Sequence, residues 1–352
     1  MPSLPIFVCL FLVLLSQCVQ ATNITGVSFS YNDWEIACDN TRTCRAAGYQ
    51  ADDREEAVSV LLTRRAGPRQ PVTGQLMIGD YSERESLKKL YSVFTLTMKI
   101  NGQDLGTILI NPNSLVADLS TKQVSALIAA LARNSTIEWM AGENIWQLSD
   151  KGAAAVLLKM DEFQGRIGTR GALVKKGSLG ENSVLPMLPM PVVIAAPLTK
   201  PQASDKLLPS KALREALQAT VTNNDECFEL SGSESGESEL SIIRLSRSKL
   251  LVSTLCWQAA YNTGDGYWVI NDSPPYNPVL VTTSGTDYSE GGISQAQKGR
   301  GLGDCWSHEG WTWDGKEFIH TESSTTGMCK LVAAGGAWAL PTIVSEVHQS
   351  PR

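Results

Sequence analysis

The chain is poor in the residues that most often carry chemistry. It has three histidines, His308, His320 and His348. It has no Gly-x-Ser-x-Gly nucleophile motif, and no paired Cys-x-x-Cys or His-x-x-x-His spacing of the kind that holds zinc. It lacks Lys/Arg-rich runs, and its net charge of −6 gives it an acidic balance. Both argue against nucleic acid as a partner and against an anionic membrane surface. No run is apolar enough to span a bilayer as a helix, which needs roughly 20 residues. What remains suits a globular fold, with 43% hydrophobic and 19% charged residues.

The longest apolar run is Leu4–Leu15, followed by polar Ser16 and Gln17. Val19-Gln20-Ala21 then offers the small-x-small pattern of a signal peptidase site, cutting after Ala21. Residues 1–21 lack Lys and Arg, so only the amino terminus gives the usual positive start. A lipoprotein anchor at Cys18 is the competing reading, but a lipobox wants a small residue where Gln17 stands. Cleavage near Ala21 predicts a periplasmic or secreted protein of a Gram-negative envelope. About 330 residues then remain, more than the roughly 250–300 at which one core stops growing, so two domains are expected.

Of eight cysteines, Cys9 and Cys18 fall in the leader. Six are left, an even number that implies disulfides in an exported chain. Six allow roughly 15 pairings. Sequence proximity favours Cys38–Cys44, Cys227–Cys256 and Cys305–Cys329.

The pattern predicts a mainly β (α+β) fold: two β-sandwich-like domains, the first with two added helices, joined by a Pro-rich linker. The first covers 22–182. Asp39–Thr43 turns between strands to Cys44, and Gly67-Pro68 turns between Val58–Thr63 and Leu76–Ile78. Alternating apolar residues flank Asn101-Gly102, the dipeptide a type I′ hairpin requires. Ser120 with Gln123 forms a capping box for one helix, with Val124, Leu127, Ile128 and Leu131 on one face. A second helix starts near Ser149 and runs through Ala153–Phe163. Gly165, Gly168 and Gly171 end it and lead to a strand at Ala172–Val174. These glycines follow a helix instead of preceding one, which excludes a dinucleotide fingerprint. Residues 183–222 form the linker and a short helix, Ser210–Thr220, with polyproline character at Leu185–Pro191. Met187 and Met190 read as a spacer and not as copper ligands. The second domain, 223–348, holds an acidic loop at 231–239, several strands and a second I′-type signal at Asp314-Gly315.

Candidate sites centre on that second hairpin. His308, Glu309, His320 and Glu322 cluster in sequence, and His320 and Glu322 share one strand face. Six of nine tryptophans lie in the second domain, and Trp311 and Trp313 share a face. Such a pair would serve as a sugar-stacking platform, as a protein-binding anchor, or simply as core. The acids at Asp52, Asp53, Glu55 and Glu56 read as a solvated loop. Lys298–Gly303 reads as a tight turn that positions Cys305. It lacks the Lys-Ser/Thr ending and the helix of a P-loop.

The runs Asp33–Tyr49, Leu148–Ala153, Met160-Asp161, Gln164–Arg166, Lys298–Cys305, Trp313–Gly315 and Trp338–Pro341 resemble a family of uncharacterised exported proteins of Gram-negative bacteria. It is catalogued only as a domain of unknown function, and the resemblance covers nearly the whole mature chain. It implies export and six cysteines but no activity or site residues. The first domain also resembles the invasion-associated locus B proteins, small secreted β modules.

A non-catalytic periplasmic binding or interaction protein is the expected function, with inhibition of an envelope hydrolase as its narrower form. The alternatives are a hydrolase acting on cell-wall or glycan material, or a carbohydrate-binding module. Trp311, Trp313, His308 and His320 are the candidate ligand- or partner-binding residues. No catalytic residue, metal or cofactor is expected. The partner would be an envelope protein or a cell-wall glycan.

Overall fold

The computed structural model describes residues 25–79, 94–208, 210–222, 226–231 and 238–350. The expected leader, with Cys9, Cys18 and Ala21, lies outside the described residues, as does most of the acidic loop 231–239. The fold is mainly β with three helices. No helix among the described residues is long and apolar enough to cross a membrane.

Six antiparallel strands form the first sheet, in the order β1-β2-β3-β4-β5-β8. They are β1 (Val27–Tyr31), β2 (Trp34–Cys38), β3 (Cys44–Tyr49), β4 (Val58–Arg64), β5 (Val72–Ile78) and β8 (Val116–Asp118). The Cys38–Cys44 disulfide closes the turn between β2 and β3. Inside that turn, the Asp39 carboxylate accepts the amides of Thr41 and Thr43 and pairs with Arg45. A second antiparallel sheet has the order β10-β9-β6-β7, with β6 (Phe94–Ile100), β7 (Gln103–Ile110), β9 (Ile137–Ala141) and β10 (Asn144–Leu148). Asn101 and Gly102 both have positive φ, 50° and 79°, and Ile100 pairs with Gln103, as the I′ reading requires.

Helix α1 (Thr121–Leu131) carries the expected capping box at Ser120 and Gln123. Its buried Val124, Leu127 and Leu131 join one core with Trp34, Leu62, Leu96, Met98 and Trp139 of the two sheets. Helix α2 (Ala153–Phe163) contributes Val156, Leu157 and Met160 to the same core. It starts after Gly152 and not at Ser149, because Gly152 has φ 96°, outside the helical region; its backbone lies against the Tyr31 carbonyl, where no side chain would fit.

The strand expected at Ala172–Val174 does not form. The buried Asp161 carboxylate accepts the amides of Leu173 and Val174, so they are unavailable to a ladder. Around it, Arg64 and Arg166 face Asp161 and Glu181. Burial, with Arg166 nearby, lowers the Arg64 guanidinium to about 10. Two cations meet two carboxylates there, so the network is balanced within itself.

Residues 183–208 run as a strap. Arg42 donates to the Pro186 carbonyl and Leu188 to that of Thr41, and β11 (Val192–Ala195) pairs in parallel with β21 (Glu346–Gln349). Helix α3 (Ser210–Gln218) packs Leu213 and Leu217 against Trp268 and the Cys227–Cys256 disulfide. The fourth sheet has β12 (Ser241–Arg244), β13 (Lys249–Gln258), β14 (Thr263–Asn271) and β15 (Val279–Gly285) in sequence order. The fifth has β16 (Asp287–Ser289), β17 (Gly292–Lys298), β18 (Trp306–Trp313), β19 (Phe318–Thr325) and β20 (Leu340–Ile343). Leu251, Tyr267, Val269, Ile293 and Trp313 form a core between them.

The second I′ expectation is corrected. Trp313 pairs with Phe318, so four residues make the loop, and only Gly315 has positive φ. The Asp314 side chain accepts the amides of Lys316 and Glu317, which stabilises the wider turn.

Candidate functional site

The expected residues of the second hairpin separate into three environments. Trp313 is 1% exposed and tilts against Phe318 in the core. Trp311 is half-buried and stacks on His320, with ring centroids 5.1 Å apart and 17° between planes. His308 instead stacks on Trp306, whose ring also lies 5.3 Å from the Lys298 ammonium. Strand pairing brings Trp311 opposite His320 and Trp306 opposite Lys298.

Trp311 and His320 line a pocket of about 360 Å³ whose walls are mostly apolar: Val269, Val279, Val281 and Phe318. Lys249, Lys316 and Glu317 supply its charges. One face of Trp311 is covered by His320.

His320 also approaches Glu309, with Nε2 2.5 Å from Oε2, while the Ser323 hydroxyl donates to Glu309 Oε1 at 2.9 Å. Serine, glutamate and histidine are thus in contact, but the carboxylate stands in the middle. A nucleophilic triad needs the imidazole between hydroxyl and acid, so this arrangement leaves Ser323 without an imidazole base.

Glu309 faces a second concavity, a cleft of about 500 Å³ between the first and fifth sheets. Glu35 of β2 lies on its other wall. Glu35 Oε1 accepts from the Tyr49 hydroxyl at 2.7 Å and from the Met328 amide at 2.6 Å. Burial raises the Glu35 carboxyl above its ordinary range, against the pull of both donors. Burial also drives the Tyr49 hydroxyl well above its own, reinforced by the Glu35 charge.

The Lys298–Gly303 loop does hold a disulfide. A side chain on Gly299 would meet Cys305 Sγ at 2.7 Å and Cys329 Sγ at 3.1 Å. Arg300 pairs with Asp304 at 2.5 Å. Burial works against the Asp304 carboxylate, yet Arg300 and the Leu331 amide hold it below the usual range. Asp304, Cys305 and Cys329 are the one group with metal-ligand proximity among the described residues. The two sulfurs are bonded to each other, so no thiolate is present to ligate.

A family model described as "Protein of unknown function (DUF1176)" matches residues 28–345. The chain belongs to that family. This DUF1176 chain is also 25% identical over 345 residues to the "Uncharacterized protein YpfG" of Escherichia coli (strain K12), covering 89% of this chain and 91% of that protein. No solved structure matches. Neither description carries an activity, so the site of this DUF1176 member is read from its geometry.

Sequence reasoning missed Glu35 and the cleft. Glu35 sits in a short strand, and its partners are 14 and 293 residues away. Within the window, only an acid in an otherwise apolar strand, Trp34–Cys38, signals anything.

Proposed function

We propose that this chain is an extracytoplasmic binding protein that engages a protein partner of the envelope, without catalysis, through the pocket beside Trp311. Three disulfides in a chain of this size suit an oxidising compartment. The observation that carries the reading is the pocket itself, with aliphatic walls, one half-buried tryptophan and a charged rim. Partner hot spots are of this kind: an apolar anchor enters a small desolvated pocket while surrounding charges set orientation. His320 covers one face of Trp311, which leaves less open ring for a sugar than for a compact apolar side chain. Inhibition of an envelope hydrolase is the narrower form, in which the anchor belongs to the enzyme.

The test is cross-linking and capture from a periplasmic extract under conditions that preserve weak complexes. Val279 is 62% exposed at the pocket, so Val279→Asp places a charge on the apolar wall without disturbing the core. Capture of one defined partner by the wild type should fall by roughly tenfold or more in Val279→Asp and in Trp311→Ala. Equal capture by all three proteins, or none by the wild type, sinks the reading. N-terminal sequencing of the periplasmic protein should begin at Thr22; a chain retained in the cytoplasm sinks the export half.

A further inference from the structure

The cleft between the first and fifth sheets plays no part in that reading, and its chemistry differs. Seven serine and threonine residues line it, together with Glu35, Glu309 and four apolar residues. Lys, Arg and His are absent from the lining. Two strands from near the start of the fold and three from near its end build the walls, so the cavity exists only where they meet.

The two carboxylates are in different states. Glu309 has both oxygens engaged, one by His320 and one by Ser323. Glu35 has only Oε1 engaged, by two neutral donors. Among the described residues no Lys, Arg or His forms an ion pair with it, and Oε2 accepts no hydrogen bond. Lys330, in the same loop as Met328, is held by Asp33 and Asp52 instead. A carboxylate drawn out of water without a cation is costly unless something supplies the opposite charge.

The lining selects among cations. A hard metal ion wants six or more oxygen ligands, several of them carboxylates or carbonyls. No triad of acid, His or Cys ligand atoms converges in the cleft. A guanidinium prefers both oxygens of one carboxylate in its plane, and Glu35 has one oxygen already doubly occupied. A primary ammonium needs three acceptors spread around a point charge. Glu35 Oε2 and the serine and threonine hydroxyls of the cleft offer such acceptors, and Ser30 sits directly across the ladder from Glu35.

We propose that this cleft binds a small organic molecule bearing a primary ammonium group, with Glu35 as its counter-charge and the hydroxyls as its remaining contacts. The ammonium sits on an alkyl chain or on a sugar ring; both present the same group, and the experiment separates them.

Calorimetry of the full chain near neutral pH would use cadaverine, glucosamine and, as the neutral control, N-acetylglucosamine. At least one amine should bind saturably at one site, the better binder naming the frame, while the control fails. Glu35→Gln should weaken that amine by roughly tenfold or more, because it removes the charge but keeps an oxygen for Tyr49 and Met328. Thr342→Ala removes one lining hydroxyl and no charge; it should weaken binding severalfold, and it stands in if Glu35→Gln does not fold. No binding of either amine at millimolar concentration overturns the proposal. So does equal binding of the neutral control, or unchanged affinity in a folded Glu35→Gln. None of these outcomes bears on capture of a partner at the Trp311 pocket.

Discussion

At Glu35 the structure keeps an uncompensated charge, and that has a consequence for stability. Its carboxyl is raised by burial, so the folded protein holds the proton more tightly than the unfolded chain does. Stability contributed by this group is therefore greatest below its ordinary value near 4.5. It declines as pH climbs through the raised folded value and stays lower above it. Glu35→Gln removes the penalty. Its melting temperature at neutral pH should equal or exceed that of the wild type, and the difference should shrink towards pH 4. A variant that melts well below wild type at pH 7 would show that the charge holds the fold together.

The tryptophans show how much a single position discloses. Trp311 and Trp313 do share a strand face, as their i, i+2 spacing dictates. That face turns toward the fourth sheet, where Trp313 enters the core and Trp311 stays half-buried at its edge, lining the pocket. Alternation fixes which residues go together but not which side is covered, since that depends on the sheet packed opposite.

Elements were legible wherever their determinants are local. The Asn101-Gly102 hairpin and the α1 capping box follow from side chains and backbone angles within four residues of each other. Ser120→Ala should cost about 1 kcal/mol in denaturant unfolding, through loss of the cap to the Gln123 amide. No change would mean that tertiary packing alone holds α1. The failures at this scale have named competitors. Asp314 uses its carboxylate to widen the turn, and Asp161 captures the amides that a strand at Ala172–Val174 needed. At Gly299 the disulfide sulfurs lie where a side chain would stand, beside the hydrogen bond from its amide to the Cys305 carbonyl. Gly299→Ala pushes a methyl group against both atoms of the Cys305–Cys329 bridge. It should cost about 1–3 kcal/mol in urea unfolding, as overpacking does. A neutral result would show that the loop shifts freely.

Across the whole molecule, residues 327–344 return to the first sheet. Val332, Ala337 and Leu340 pack on Ala37, Ala47, Tyr49 and Leu61, and the Trp338 indole donates to the Ser59 hydroxyl at 2.7 Å. Lys330 reaches Asp33 and Asp52, and together the two carboxylates outweigh burial and hold its ammonium above the ordinary range. Lys330→Met should loosen this contact first. Amide protection of Met328 and Lys330 should drop in hydrogen exchange, while that of Val60 and Leu62 stays near wild type. Uniform loss of protection would mean that the contact is part of the global fold and not a separate latch.

Sequence alone determined what depends on neighbours along the chain. The three disulfides join cysteines 6, 29 and 24 residues apart, close enough for proximity to choose among the pairings. The β majority, the capped helix and the first hairpin likewise follow from local periodicity and turn chemistry. Tertiary structure alone decided the rest: the inward turn of Trp313, the roof of His320 over Trp311, the meeting of Tyr49, Glu35 and Met328, and the cleft. Each of these rests on which surface is covered by an element elsewhere in the chain. Burial and charge compensation are properties of the packed molecule, and no window of sequence contains them.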